Sequence, residues 1–122
     1  MSGCNVSHLM PNEQEAVEAY LNQIQEQCSN RIEAVILFGS KARGDADAES
    51  DIDLLVKVDV ETREFRSRLW QIAFDISLDY NVVLSPRVIG QARWAELGRM
   101  RLPLYRAIVA DGIPLIPEPL SV

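Results

Sequence analysis

The residues of this chain whose types and spacing suit chemistry are Asp51 and Asp53, two carboxylates separated by one position, and a Gly39-Ser40 pair ahead of them. On a β-strand, positions i and i+2 share one face, so both carboxylates would emerge together while Ile52 and Leu54 turn to the core. Their Cα atoms would lie roughly 6.5 Å apart. That separation suits two carboxylates converging on a pair of Mg²⁺ ions roughly 3.5–4 Å apart. Hard divalent cations held by carboxylates, with waters retained, are what a nucleoside triphosphate requires.

Gly39 has no Cβ, so the chain can turn sharply there and bring its backbone close to a phosphate. A short helix opening at Ser40 would aim free N–H groups at that phosphate, and the Ser40 hydroxyl adds a donor. Lys41 and Arg43 bring cationic groups nearby, and Gly44 lets the loop fold back. Two readings of Arg43 are open: contact with the triphosphate, or a pair with Asp45, Asp47 or Asp51 that holds the loop. Ser50 caps or orients the turn before Asp51, and Asp45, Asp47 and Glu49 read as a solvated loop.

These groups need elements to position them. Pro11-Asn12 with Glu13 and Glu15 reads as a helix start, Asn12 being the cap and the acids facing the positive end of the dipole. Ala16, Tyr20, Ile24 and Cys28 then recur at helical spacing as far as Ser29-Asn30. Ile32 to Phe38 reads as a buried strand closed by Gly39, and Asp51 to Val58 as a second strand. The link between them is too short for a full crossover helix, so an antiparallel or mixed pairing is expected.

Glu61 to about Asp79 returns to helix, with Phe65, Leu69, Ile72, Ala73 and Ile76 on one face. Asn81 to Ile89 reads as a third strand, interrupted at Ser85-Pro86 in the manner of an edge or a strand end. A short helix over Gln91–Met100 follows. A last helix opens at Pro103 and stops at Asp111-Gly112, and Ile113–Ile116 could add a terminal edge strand. The four aromatics Trp70, Trp94, Tyr20 and Tyr105 read as packing residues. The expectation is one α+β domain over 1–122, a small mixed sheet flanked by helices, with tails at 1–10 and 117–122.

The whole chain bounds the function. Hydrophobic residues are 48% and charged residues 25% of the sequence, the balance of a folded globular chain. The longest apolar runs fall far short of the ~20 residues of a membrane helix. The N-terminus, which includes His8, carries no export signal, so a cytoplasmic location is expected. Cys4 and Cys28 show no zinc spacing and are expected to be reduced. A net charge of −6 argues against direct nucleic-acid binding, yet it permits a metal-bound nucleotide and suits a basic protein partner.

The string LFGSKARGDADAESDIDLL, from Leu37 to Leu55, combines a hydrophobic-Gly-Ser, ten intervening residues and Asp-hydrophobic-Asp-hydrophobic. It resembles the DNA polymerase β-like nucleotidyltransferase superfamily, and Gly-Ser-x-x-Arg-Gly through Ser50-Asp51-Ile52-Asp53-Leu54-Leu55 is similar to its minimal nucleotidyltransferase branch. The resemblance is tight from Ile32 to about Val58. It implies Mg²⁺-dependent transfer of a nucleoside monophosphate, AMP from ATP, onto an acceptor that can be a tyrosine of a partner protein. In that branch the domain is often the antitoxin of a helical HEPN-type ribonuclease toxin. On this reading Asp51 and Asp53 are catalytic and metal-holding, and Gly39, Ser40 and Arg43 bind nucleotide.

The superfamily also implies a third carboxylate on a following strand. Asp79 supplies it if the strand begins early enough; otherwise Asn81, Val83 or Ser85 stands there and the acid is missing. A contact-acting module with a degenerate site is therefore the competing expectation. A domain this small is expected to borrow the rest of its site from a toxin-like partner or a second copy of itself.

Overall fold

The computed structural model describes residues 9–28, 30–45, 47 and 50–116. Elements follow the order α1 (Pro11–Cys28), β1 (Ile32–Phe38), α2 (Ser40–Arg43), β2 (Ile52–Val58), α3 (Arg63–Tyr80), β3 (Leu84–Gly90), α4 (Gln91–Arg99), α5 (Pro103–Asp111) and β4 (Ile113–Ile116). The strands form one mixed sheet in the order β3-β2-β1-β4. β1 runs antiparallel to β2 and β4, whereas β2 and β3 are parallel and joined by the α3 crossover. This is the α+β mixed sheet that the strand spacing predicts.

Alternation along the strands splits the core into two layers. Val35 and Leu37 of β1 and Ile52, Leu54, Val56 and Val58 of β2 point toward α1 and α3, where they meet Ala16, Tyr20, Ile24, Leu69 and Ile76. The opposite face is smaller: Phe38, Leu55, Ile89 and Ile108, with Trp94 and Leu104 of α4 and α5 packed against them. Trp94 and Tyr105 pack together with ring centroids 5.1 Å apart. Tyr20 donates its hydroxyl to the Leu69 carbonyl at 3.1 Å, so the packing reading of these rings holds.

Several helix ends explain themselves. Thr62 caps α3 by accepting from the Phe65 N–H at 3.1 Å, and Asn81 ends it in a left-handed conformation (φ 58°). α1 begins at Pro11, two residues earlier than a cap at Asn12 requires, and Glu13 reaches back to accept from the Met10 N–H at 2.8 Å. Leu9, expected in a tail, is buried in the core instead. Residues 1–8 and 117–122, with Cys4 and His8 among them, lie outside the described residues, as do Ser29 and Glu49. Among the described residues no helix is long and apolar enough to cross a membrane, and Cys28 is a free, buried thiol.

Candidate active site

The antiparallel register of β1 and β2 does most of the positioning. Phe38 lies directly opposite Asp53, so the chain leaving β1 at Gly39 passes beside the carboxylate of Asp53. Gly39 adopts φ 80°, ψ −160°, a conformation essentially reserved for glycine. A Cβ placed on it would meet Asp53 Oδ2 at 2.5 Å. Both the backbone angle and the lack of space thus require glycine, and the carboxylate faces the bend.

Ser40 opens the short helix α2, and Ala42 and Arg43 return their N–H groups to the Gly39 carbonyl, each at 3.1 Å. Gly44 (φ 85°) closes α2 with a left-handed cap, its N–H on the Ser40 carbonyl at 2.9 Å. The loop then returns to β2 through a turn in which the Ser50 hydroxyl donates to Asp47 Oδ1 at 3.0 Å and the Ser50 N–H donates to the Asp47 carbonyl at 3.2 Å. Ser50 has the turn-orienting place its type suggests.

Asp51 stands just before the first residue of β2 and is exposed, while Asp53 is half-buried within the strand. Burial, and then the neighbouring Asp51 charge, push the Asp53 carboxyl above its ordinary pKa, with Arg87 opposing them. Two acids crowded in this way favour a cation between or beside them. Among the described residues no group of three or more His, Cys, Asp or Glu gathers to form a self-sufficient metal cage. Two carboxylates beside an anion-receptive turn nonetheless match the way Mg²⁺ is usually held, by one or two acids completed by substrate phosphates and water.

Lys41 and Arg43 are both engaged by acids of the chain. The Lys41 side chain is only 4% exposed, with Nζ 2.5 Å from Glu13 Oε2 and 3.1 Å from the Asp47 carbonyl. It holds α2 and the returning loop against the start of α1, and Glu13 is correspondingly a buried partner rather than a solvated first-turn acid. Arg43 is exposed and pairs with Asp45 at 3.1 Å and Asp111 at 3.7 Å, the loop-holding one of its two readings.

The third-carboxylate position is corrected more sharply. Asp79 lies in the last turn of α3, exposed, and the chain still has to pass the left-handed Asn81 before β3 begins at Leu84. It is therefore not on the strand beside Asp53. Ser85 is the residue paired with Asp53, and one step before the Ile52–Leu84 pair Val83 lies beside Asp51, its carbonyl accepting from the Ile52 N–H at 2.8 Å. Neither side chain is acidic. Arg87 of β3, whose charge opposes the rise at Asp53, leaves no signal in the spacing, because the parallel register brings it there.

The comparisons with known proteins agree with this architecture. The model of the nucleotidyltransferase domain family matches residues 18–102. A protein of Methanocaldococcus jannaschii named as a candidate protein adenylyltransferase is 46% identical over 101 residues, 83% of this chain and 95% of that protein. A second of the same description and organism is 37% identical over 73 residues, 59% of this chain and 74% of the relative. Among solved structures, a toxin–antitoxin complex with AMP-PNP aligns with a TM-score of 0.55 at 19% identity, over 82% of this chain and 73% of that one. A mutant of the toxin–antitoxin MntA-HpeT aligns at 0.56 and 17% identity, covering 80% and 70%. With the matched model spanning both the glycine bend and the aspartate pair, the chain belongs to the nucleotidyltransferase domain family and is a transferase of that class.

Proposed function

We propose that this chain transfers AMP from ATP to a hydroxyl of a protein acceptor, with Mg²⁺ held by Asp51 and Asp53, and that the acceptor is a toxin-like partner of the HEPN type. The observation that carries the reading is the Asp53 carboxylate lying against Gly39, which supports a metal held next to a turn suited to phosphate. The names of the two Methanocaldococcus relatives support protein adenylylation, and the toxin–antitoxin complexes of the same fold support the partner.

In this reading Gly39 and the Ser40 N–H and hydroxyl hold the triphosphate, while Arg43 keeps the α2 loop closed against Asp111. When bound, Mg²⁺ would neutralise phosphate charge and polarise the phosphorus under attack. The acceptor oxygen bonds to the α-phosphorus as the bond to pyrophosphate breaks. Its proton goes to water or to a base of the acceptor, because Val83 and Ser85 offer none beside the aspartates.

Incubation of the protein with Mg²⁺, α-labelled ATP and the product of its adjacent reading frame tests this. Label on that product with wild type, and none with Asp51→Asn, is the expected result. Full labelling by Asp51→Asn would overturn the role of the pair. The absence of an acid at Val83 and Ser85 favours a second reading, neutralisation by contact alone. A stable unlabelled complex that survives Asp51→Asn would establish it.

A further inference from the structure

α3 buries one stripe, Phe65, Leu69, Ile72, Ala73 and Ile76, and leaves another bare. Trp70, Phe74 and Leu78, at i, i+4 and i+8, are 43%, 57% and 68% exposed, and Val83 just beyond the helix is 51% exposed. Isolated exposed apolar residues need no explanation, but four large ones in a row do. Leu78 and Val83 flank a cavity of about 350 Å³ that Trp70, Phe74, Val82 and Leu84 also line.

Asn81, Val82 and Val83 also line a second cavity of about 560 Å³, whose other wall includes Ser50, Asn12 and Met10. The two cavities thus make one trough that runs from the bare stripe of α3 to Ser50, next to Asp51. Its approach is the side where Val83 and Ser85 stand beside the aspartates.

We infer that this trough is the docking surface for the protein acceptor, whose apolar side chains seat against Trp70, Phe74 and Leu78 while its hydroxyl reaches Asp51 over Val83; this rests on the acceptor being a protein.

Charge names the kind of partner. Among the described residues, no lysine or arginine lines either cavity. Asp79 is exposed in the last turn of α3, a turn with no basic residue, so it adds to the negative end of the helix dipole. At the other end of the trough lies Ser50, whose neighbour in sequence is the exposed Asp51. The fitting occupant is a polypeptide with an apolar ridge flanked by Lys or Arg. A second copy fits poorly, because a two-fold contact through this stripe would set Asp79 near its own equivalent in a chain of net charge −6.

The adjoining sheet edge narrows the binding mode. β3 is an edge strand whose Leu84 and Pro86 turn their backbone outward. The Leu84 N–H is already taken by the Ser77 hydroxyl at 3.0 Å, and Pro86 has no N–H to offer. Strand addition is therefore blocked there, and the occupant engages through side chains, as a helix or loop does.

Sedimentation and calorimetry of the full-length protein with the product of its adjacent reading frame test the surface, with wild type, Phe74→Asp, Leu78→Ser and, as a control on the opposite layer, Val109→Asp. Phe74→Asp is expected to weaken binding at least tenfold and Leu78→Ser several-fold, with ATP binding intact and Val109→Asp unchanged. Wild-type binding should also weaken as salt rises. Equal binding by Phe74→Asp and wild type, no binding by wild type, or a wild-type homodimer that Phe74→Asp dissociates would each overturn the proposal. Binding that depends on Phe74 without any transfer of label would sustain the docking surface while refuting the adenylylation reading.

Discussion

The two sides of the aspartate pair are built in opposite ways. On the Gly39 side every group is fixed: a glycine-only backbone conformation, a helix of four residues closed by Gly44, and a buried Lys41–Glu13 pair that ties the turn to α1. On the β3 side the wall is open, exposed and without acid or base, ending in Val83 and the bare stripe of α3. Under the proposed function this contrast has a reason: a triphosphate is the same molecule in every turnover, so a rigid receptor would cost nothing in specificity. A protein acceptor would bring its own surface to the open side.

The sharpest way to break this contrast is at the shared centre. Asp53→Asn should lower transfer by about 10³-fold, comparable to losing a group that stabilises transition-state charge, read by single-turnover labelling. Next comes the rigid side. Lys41→Met leaves Glu13 buried and uncompensated and should cost about 3–5 kcal/mol in denaturant unfolding, whereas Glu13→Leu with Lys41→Met should recover most of that loss. Full recovery of stability with transfer still impaired would show that the pair also positions the turn.

Gly39→Ala forces a Cβ into Asp53 at a positive φ, and should cost about 1–3 kcal/mol while weakening ATP binding. On the open side, Ser85→Asp adds a carboxylate beside Asp53 and should raise transfer or ATP hydrolysis by about tenfold, typical of a modest acid–base gain. A loss of activity there would mean that the site has adapted to its two neutral neighbours, Val83 and Ser85.

The smallest effect is on pH dependence. Asp53 has its carboxyl pKa raised in the folded protein, so the native state holds its proton more tightly than the unfolded chain. Stability of the nucleotide-free protein should therefore decline as pH rises from the ordinary Asp range through the raised value. Asp53→Asn should remove that decline and melt at or above the wild-type temperature at neutral pH. A melting curve whose pH dependence is unchanged by Asp53→Asn would contradict the burial of Asp53 beside Asp51.

The contrast also explains what could be read in the sequence. β1 is an unbroken apolar run ended by glycine, and its bounds of Ile32–Phe38 follow directly. Asp51 reads as strand because it continues the alternation, yet it stands outside because the ladder opens at the Ile52–Leu84 pair. Val82 and Val83 carry β propensity, but a left-handed Asn81 and the hydrogen bond from the Leu84 N–H to the Ser77 hydroxyl delay β3 until Leu84. Pro86 looks like a break and is accommodated within the strand, since its missing N–H faces the outer edge.

The Gly39, Ser40, Asp51 and Asp53 constellation is local, and so it was legible. The Lys41–Glu13 pair joins residues 28 positions apart, and Arg87 meets Asp53 only through strand pairing, so neither leaves a spacing signal. Lys41 reads only as a cation near the turn for the same reason: the sequence gives its charge but not the acid that claims it.

Calorimetric titration of ATP into wild type and the Asp51→Asn/Asp53→Asn double variant, each with and without Mg²⁺, tests the central claim most directly. Wild type should bind ATP at least tenfold more tightly with Mg²⁺, about 1.4 kcal/mol, and the double variant should lose that enhancement while remaining folded. An enhancement of equal size in both proteins would place the metal elsewhere and contradict the account.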